Sequence, residues 1–138
     1  MRIVFDTNVY VQMMNRNGFV DTIVREIAVR PDLELFISID ILVELRRTLT
    51  YKLQLSPERV SAILAHVYRI AEQVEPREHI SGVLRDADDH IILACAVECH
   101  ADCIVTSDRG MLRLKTFRGI AIVHPSMMKF INSNHKHK

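Results

Sequence analysis

Three observations predict a three-layer α/β/α sandwich with a mostly parallel sheet of four to five strands. Short, uniformly apolar runs alternate with amphipathic stretches along the chain. The runs lack the polar–apolar alternation of a strand with one wet face, so both sheet faces must be covered. The segments between runs are long enough for crossover helices, which right-handed connections lay over the sheet.

The elements follow in order. Arg2 to Phe5 reads as a short buried strand, and Asp6-Thr7-Asn8 as a helix start for a short helix over Val9 to Met14. Gly18 breaks the pattern, and Val20 to Val29 reads as a helix ending before Pro31. Residues 34–38 form a second apolar run. Ser38 and Asp40 are both N-cap candidates for a helix through about Leu49. Ser56-Pro57-Glu58 combines a cap residue, a proline at the first position and an acid in the first turn. Val60, Ile63, Leu64, Val67, Ile70 and Ala71 follow at helical spacing, and Val74 begins a short extended piece before Pro76. Asp86 to Asp89 is an acidic helix start, with Ile92, Cys95, Ala96 and Cys99 on one buried stripe. Cys103 to Thr106 reads as a strand, Asp108 to Leu112 as a helical turn, and Ile120 to Val123, after Gly119, as the last strand. Pro125 and Ser126 introduce a C-terminal helix.

The chain has 138 residues, enough for one domain, expected over residues 1–131 with a flexible polar tail at 132–138. Hydrophobic residues make up 49% and charged residues 25%, the balance of a soluble globular protein. A net charge of +1 excludes a general basic coat for nucleic acid, so such binding needs local patches. No apolar run approaches the roughly 20 residues that span a bilayer, and no secretory signal is evident. Cys95, Cys99 and Cys103 are an odd number without paired ligand knuckles. They read as small buried hydrophobes in a reducing cytoplasm rather than as zinc ligands with His100.

Four acids stand out. Asp6 and Asp108 each follow a strand-like run, Glu44 lies shortly after another, and Asp89 opens the stretch Ile91 to Val97. Ligands of parallel α/β sheets bind outside the carboxyl ends of the strands. Carboxylates gathered there repel one another and coexist only with protons or cations, and hard oxygen donors suit Mg²⁺ or Mn²⁺. The plainer account is helix capping, for which Asp6, Asp86, Asp88 and Asp108 are each well placed. Glu44 fits it least, lying about a turn inside its helix beside Arg46 and Arg47. His90 adjoins the acids. A partly exposed helix histidine is the preferred reading, ahead of a general acid.

Taken together, the order and spacing of these segments resemble the PIN domain family over about residues 1–127, most of all the stand-alone VapC-like toxins of toxin–antitoxin systems. Asp6 in VFDTNV, Glu44 in DILVELRRTL, Asp89 in RDADDHIILACAV and Asp108 in IVTSDRGML match the family's four acids. Asn8 and Thr106 match accessory polar positions that order them. Asp86, one turn before Asp89, is an outer or second-metal candidate. The resemblance implies a ribonuclease dependent on Mg²⁺ or Mn²⁺, an antitoxin partner that covers the acidic site, and a homodimer. Arg46, Arg47, Arg85 and Arg109 are candidates for gripping substrate phosphate. With aromatics at 6% and no Trp, little base-stacking equipment is present.

Two rivals remain at this level. An aspartyl-phosphate enzyme of the haloacid dehalogenase type would use Asp6 but needs a second Asp two residues on, where this chain has Asn8. A catalytically silent PIN-like module that binds RNA or protein would not need all four acids.

Overall fold

The computed structural model describes residues 1–12, 25–27 and 29–127. Six strands form one sheet: β1 (Arg2–Phe5), β2 (Glu34–Ser38), β3 (Ala71–Val74), β4 (Cys103–Val105), β5 (Thr116–Phe117) and β6 (Ile120–Val123). Their order is β3-β2-β1-β4-β6-β5, parallel throughout except for the antiparallel β5–β6 pair. The helices are α1 (Thr7–Gln12), α2 (Ile39–Arg47), α3 (Pro57–Ile70), α4 (His90–Glu98) and α5 (Arg109–Leu114). Residues 25–27 are also helical. Val29 of the segment expected as a helix over Val20 to Val29 is helical too, while residues 20–24 and 28 of it, the break at Gly18, Met13 and Met14, and the polar tail lie outside the described residues. The C-terminal helix is described only over 125–127.

The central strands are apolar because both of their faces are covered. Ile3, Val4, Phe5, Ile37, Ile104 and Val105 are fully buried. Burying one such side chain contributes about 1.5–3 kcal/mol, which is why these three- to five-residue strands hold. α4 supplies Ile92, Leu93, Cys95 and Ala96 to the same core and packs on β1 and β2. α2 adds Ile41, Leu42 and Leu45.

The helix starts follow the cap chemistry. Ser38 Oγ accepts from the Ile41 N–H at 3.2 Å, so Ser38 is the cap of α2 and Asp40 stands in its first turn. Ser56 Oγ accepts from the Arg59 N–H at 3.2 Å, with Pro57 as the first helical residue of α3. α2 stops at Arg47 rather than Leu49. Thr48, whose Oγ1 donates to the Glu44 carbonyl at 3.1 Å, opens a π turn over Thr48–Lys52.

Two expectations need correction. Ala71 continues the helical spacing of α3 but turns extended, because Ala71 to Val74 pair in register with Leu35 to Ser38. Sheet hydrogen bonding overrides the helical period there. The sheet also has six strands rather than four or five. The extra edge strand is the two-residue β5, joined to β6 through Arg118 and Gly119, both at positive φ (49° and 81°). That turn suits the twist of a two-residue hairpin and explains why Gly119 stands there.

Tyr10 is fully buried, in a tilted pair with Phe5 at 5.5 Å between ring centroids. Its hydroxyl has no hydrogen-bond partner among the described residues. An unpaired buried hydroxyl costs about 1–3 kcal/mol. Tyr10→Phe is therefore expected to leave the fold unchanged and raise stability by about 1 kcal/mol, read from the urea midpoint at unchanged slope.

The strand order reverses at β1. β2 and β3 lie on one side, and β4 and β6 on the other. Right-handed connections then send the chain leaving β1 and the chain leaving β4 to opposite faces of the sheet. A crevice opens between them at the carboxyl ends of the strands, the position where ligands bind in such sheets.

Candidate metal and phosphate site

Asp6 follows β1 and Thr106 follows β4, on the two sides of this crevice. Phe5 is paired with Val105, and the Asp6 N–H donates to the Val105 carbonyl at 3.0 Å. The next residues are therefore set side by side. Thr106 is fully buried. Its Oγ1 donates to Asp6 Oδ2 at 2.8 Å and accepts from the Asp108 N–H at 3.0 Å. One hydroxyl thus fixes both flanking acids.

Asp6 is only 5% exposed. Burial raises its pKa above the ordinary carboxylate value. The Thr106 hydroxyl and the Thr7 N–H oppose that, and the charges of Asp108 and Asp86 add to it. Asp89 ends the one-turn 3₁₀ segment Ala87–Asp89 that leads into α4. Partial burial and the charges of Asp6, Asp86, Asp108 and Asp88, in that order, push its pKa up to about 7. Asp108 caps α5, its Oδ2 accepting from the Met111 N–H at 2.9 Å. Asp86 caps the 3₁₀ turn, its Oδ1 accepting from the Asp88 N–H at 3.0 Å. The capping account thus holds for Asp86 and Asp108. For Asp6 it is incomplete, since its carboxylate meets the Thr7 N–H at the start of α1 and is also held by Thr106. Asp89, which that account did not include, makes no side-chain cap bond.

Asp86, Asp89 and Asp108 line a cleft of about 330 Å³ with Leu84, Arg85 and Gly110. Gly110 leaves room for the acid beside it, since a Cβ there would come within 3.1 Å of Asp108 Oδ2. Of the candidate arginines, Arg85 is on this rim, while Arg46, Arg47 and Arg109 are exposed with no role at the cleft assigned by a contact. Asn8 is exposed on α1 and, unlike Thr106, makes no hydrogen bond to the acids. Glu44 is half-buried on α2, forms no ion pair with Arg46 or Arg47, and is not among the leading charges on Asp6 or Asp89.

His90 differs from its expected exposed state. It is buried, with Nδ1 at 3.0 Å from the Ala87 carbonyl. Nε2 accepts from the Val83 and Leu84 N–H groups at 3.1 and 3.0 Å. Two donors on Nε2 leave the proton on Nδ1, so His90 is a neutral tether for the loop before Asp86. Nothing in the local sequence signals this, because the donors are backbone groups six and seven residues away.

Among the described residues no three His, Cys, Asp or Glu side chains stand close enough to share one metal ion. Cys95, Cys99 and Cys103 lie in the core. These thiols are free and buried, and burial raises Cys95 to about 12 and both Cys99 and Cys103 to about 11. They are expected to resist alkylation by iodoacetamide at pH 8 until the protein unfolds, as mass spectrometry would show. At the crevice the donor chemistry fits a hard divalent ion. The groups are all carboxylates, two of them are held above their ordinary pKa, and like charges contribute to both shifts.

No curated protein matches the chain. Among solved structures, a chain of the crystal structure of VapBC2 from Rickettsia felis bound to a DNA fragment from their promoter superposes with a TM-score of 0.63 at 17% identity, covering 90% of this chain and 98% of that one. A chain of the 2.2 Å structure of VapBC-1 from nontypeable Haemophilus influenzae gives 0.63 at 15%, covering 91% and 99%. Identities this low speak to the fold alone, which the chain shares with these two chains. The family model described as PIN domain matches residues 2–110, from β1 through the start of α5. The chain belongs to the PIN domain family.

Proposed function

We propose that this protein is a divalent-metal-dependent endoribonuclease, acting in the cytoplasm as the toxin of a toxin–antitoxin pair. The observation that carries the reading is the electrostatic group of Asp6, Asp86, Asp89 and Asp108 at the reversal of strand order. The neighbouring acids add to the raised pKa of Asp6 and Asp89, and a cation would relieve that cost. Asp6, Asp89 and Asp108 would be drawn together around Mg²⁺ or Mn²⁺, with Glu44 as a fourth candidate and Asp86 outside them. A bound divalent ion supplies an acidified water and a clamp on the phosphate.

The chain's own groups have distinct parts. Thr106 orients Asp6 and Asp108. Asp108 is engaged in capping α5, whereas Asp89 caps nothing, so Asp89 is the carboxylate available to take a proton from the attacking water. Arg85 at the rim pairs with the substrate phosphate, with Arg46, Arg47 and Arg109 as further candidates for the strand.

The structural neighbours come from VapBC structures, which supports an antitoxin partner. Ile39 and Val43, exposed one turn apart on α2, offer apolar surface for that partner or for a second copy of the chain. Light scattering of the isolated protein at micromolar concentration is expected to give a dimer, and a monomer removes that part of the proposal.

The test of the activity is cleavage of a labelled single-stranded RNA with Mn²⁺, with EDTA and by the Asp6→Asn variant. Cutting with Mn²⁺ that is lost in both controls supports the reading. A folded protein that binds RNA but cuts none in any divalent metal is a silent module instead.

A further inference from the structure

The acidic cleft has a larger neighbour. After β3 the chain from Pro76 to Arg85 runs back along α4 and is tied at three places. The Arg77 N–H donates to Glu98 Oε1, in the last turn of α4, at 2.9 Å. Arg118 of the β5–β6 turn grips both oxygens of Glu78 at 2.9 and 2.6 Å. His90, at the start of α4, takes the Val83 and Leu84 N–H groups. Between this segment, α4 and Asp40 of α2 lies a cleft of about 460 Å³. Leu84 and Arg85 line both clefts and form the wall between them.

The chemistry of the second cleft is selective. Ile80, Ile91 and Ala94 give it apolar surface. Two of its charges are already matched, Arg77 by Glu98 and Glu78 by Arg118. Arg85 and His79 are exposed and have no hydrogen-bond or ion-pair partner among the described residues. An unmatched guanidinium therefore stands on the wall shared with the acids, and an unmatched imidazole lines the neighbouring space. Asp40 offers an acceptor for a ribose hydroxyl or a base N–H and repels a second phosphate.

We infer that this second cleft is a nucleotide subsite. It takes the nucleotide next to the scissile phosphate, with Arg85 and His79 on that nucleotide's own phosphate and the apolar surface under its sugar or base. The volume lies within the range of small-ligand pockets. The shared wall lets one RNA strand pass from this cleft to the acids with Arg85 between two successive phosphates. The inference rests on the nuclease reading above and adds where the strand lies.

The experiment uses the full chain with Mn²⁺ on an RNA dinucleotide and on the same dinucleotide extended by one nucleotide at its 5′ or 3′ end. One extension is expected to raise kcat/KM about tenfold, the worth of one charge-assisted contact. His79→Ala, at an exposed position, and Ala94→Phe, which fills the cleft, should each remove most of that gain. Anisotropy of a labelled hexanucleotide in EDTA reads binding without cleavage and should show about tenfold weaker binding for Arg85→Ala. Cleavage with no gain from either extension, or a gain that both cleft variants keep, overturns the subsite and leaves the nuclease standing. Binding in EDTA that weakens in the cleft variants, from a protein that cuts no RNA, supports the subsite and overturns the nuclease reading. A folded protein that neither binds nor cuts RNA overturns the subsite as well.

Discussion

Asp6→Asn is expected to abolish RNA cleavage, by roughly a thousandfold or more, while raising the melting temperature of the metal-free protein by about 2–4 °C. The two effects share one cause. Asp6 is buried among like charges, and its pKa is raised above 3.8 by that burial. Asparagine keeps the volume and still accepts from the Thr106 hydroxyl, but it brings no charge to desolvate or to hold a cation. The same logic predicts a pH dependence. A carboxyl whose pKa is higher in the folded state than in the unfolded chain binds more protons when folded. Its contribution to stability is complete below the unfolded value of 3.8 and is lost as pH rises through the folded value, which for Asp89 is about 7. Melts in EDTA should therefore fall in midpoint between about pH 4 and pH 7, less so in Asp6→Asn or Asp89→Asn. Mn²⁺ at pH 7.5 should recover the loss in the wild type and much less in either variant. An Asp6→Asn protein that unfolds would return Asp6 to a structural role.

Thr106→Val is the second large effect. Valine matches threonine in shape and cannot hydrogen-bond. The change removes the donor to Asp6 Oδ2 and the acceptor of the Asp108 N–H in a fully buried position. Each buried group left alone costs about 1–3 kcal/mol, so a loss of about 2–4 kcal/mol is expected. Cleavage should fall too, because Asp6 and Asp108 lose their common reference point and Asp6 loses the interaction that lowers its pKa. Thr106→Ser keeps the hydroxyl and should recover most of the activity with less of the stability. Equal activity in the valine and serine variants, measured per folded molecule, would remove Thr106 from the site.

The parallel core was legible because its strands carry a physical mark, uninterrupted apolar residues such as Ile3-Val4-Phe5 and Ile104-Val105, and because Ser38 and Ser56 sit where caps belong. β5 was not, since two residues hold no periodicity, and Ala71 was misplaced because its fate depends on a strand partner 36 positions earlier, at Leu35. Within the candidate site, Asp6, Asp89 and Asp108 could be singled out at the ends of strands and the start of a helix, and the family resemblance pointed to Thr106, whose hydroxyl bonds Asp6 and the Asp108 N–H. The burial of His90 could not, because backbone donors leave no trace in side-chain pattern. Glu44 was readable as an acid inside a helix, but which way a half-buried helix residue serves is set by packing.

The hydroxyl of Thr106 spans 100 positions of sequence to reach Asp6. β1 precedes its partner on the β4 side by the whole β2–β3 half and α4. Contacts that distant close late, because loop entropy opposes them until local structure has formed. A nascent chain therefore carries isolated carboxylates and no assembled crevice until β4 has emerged. For a protein proposed to cut RNA, the wide spacing of β1 and β4 delays activity until both halves of the sheet are in place.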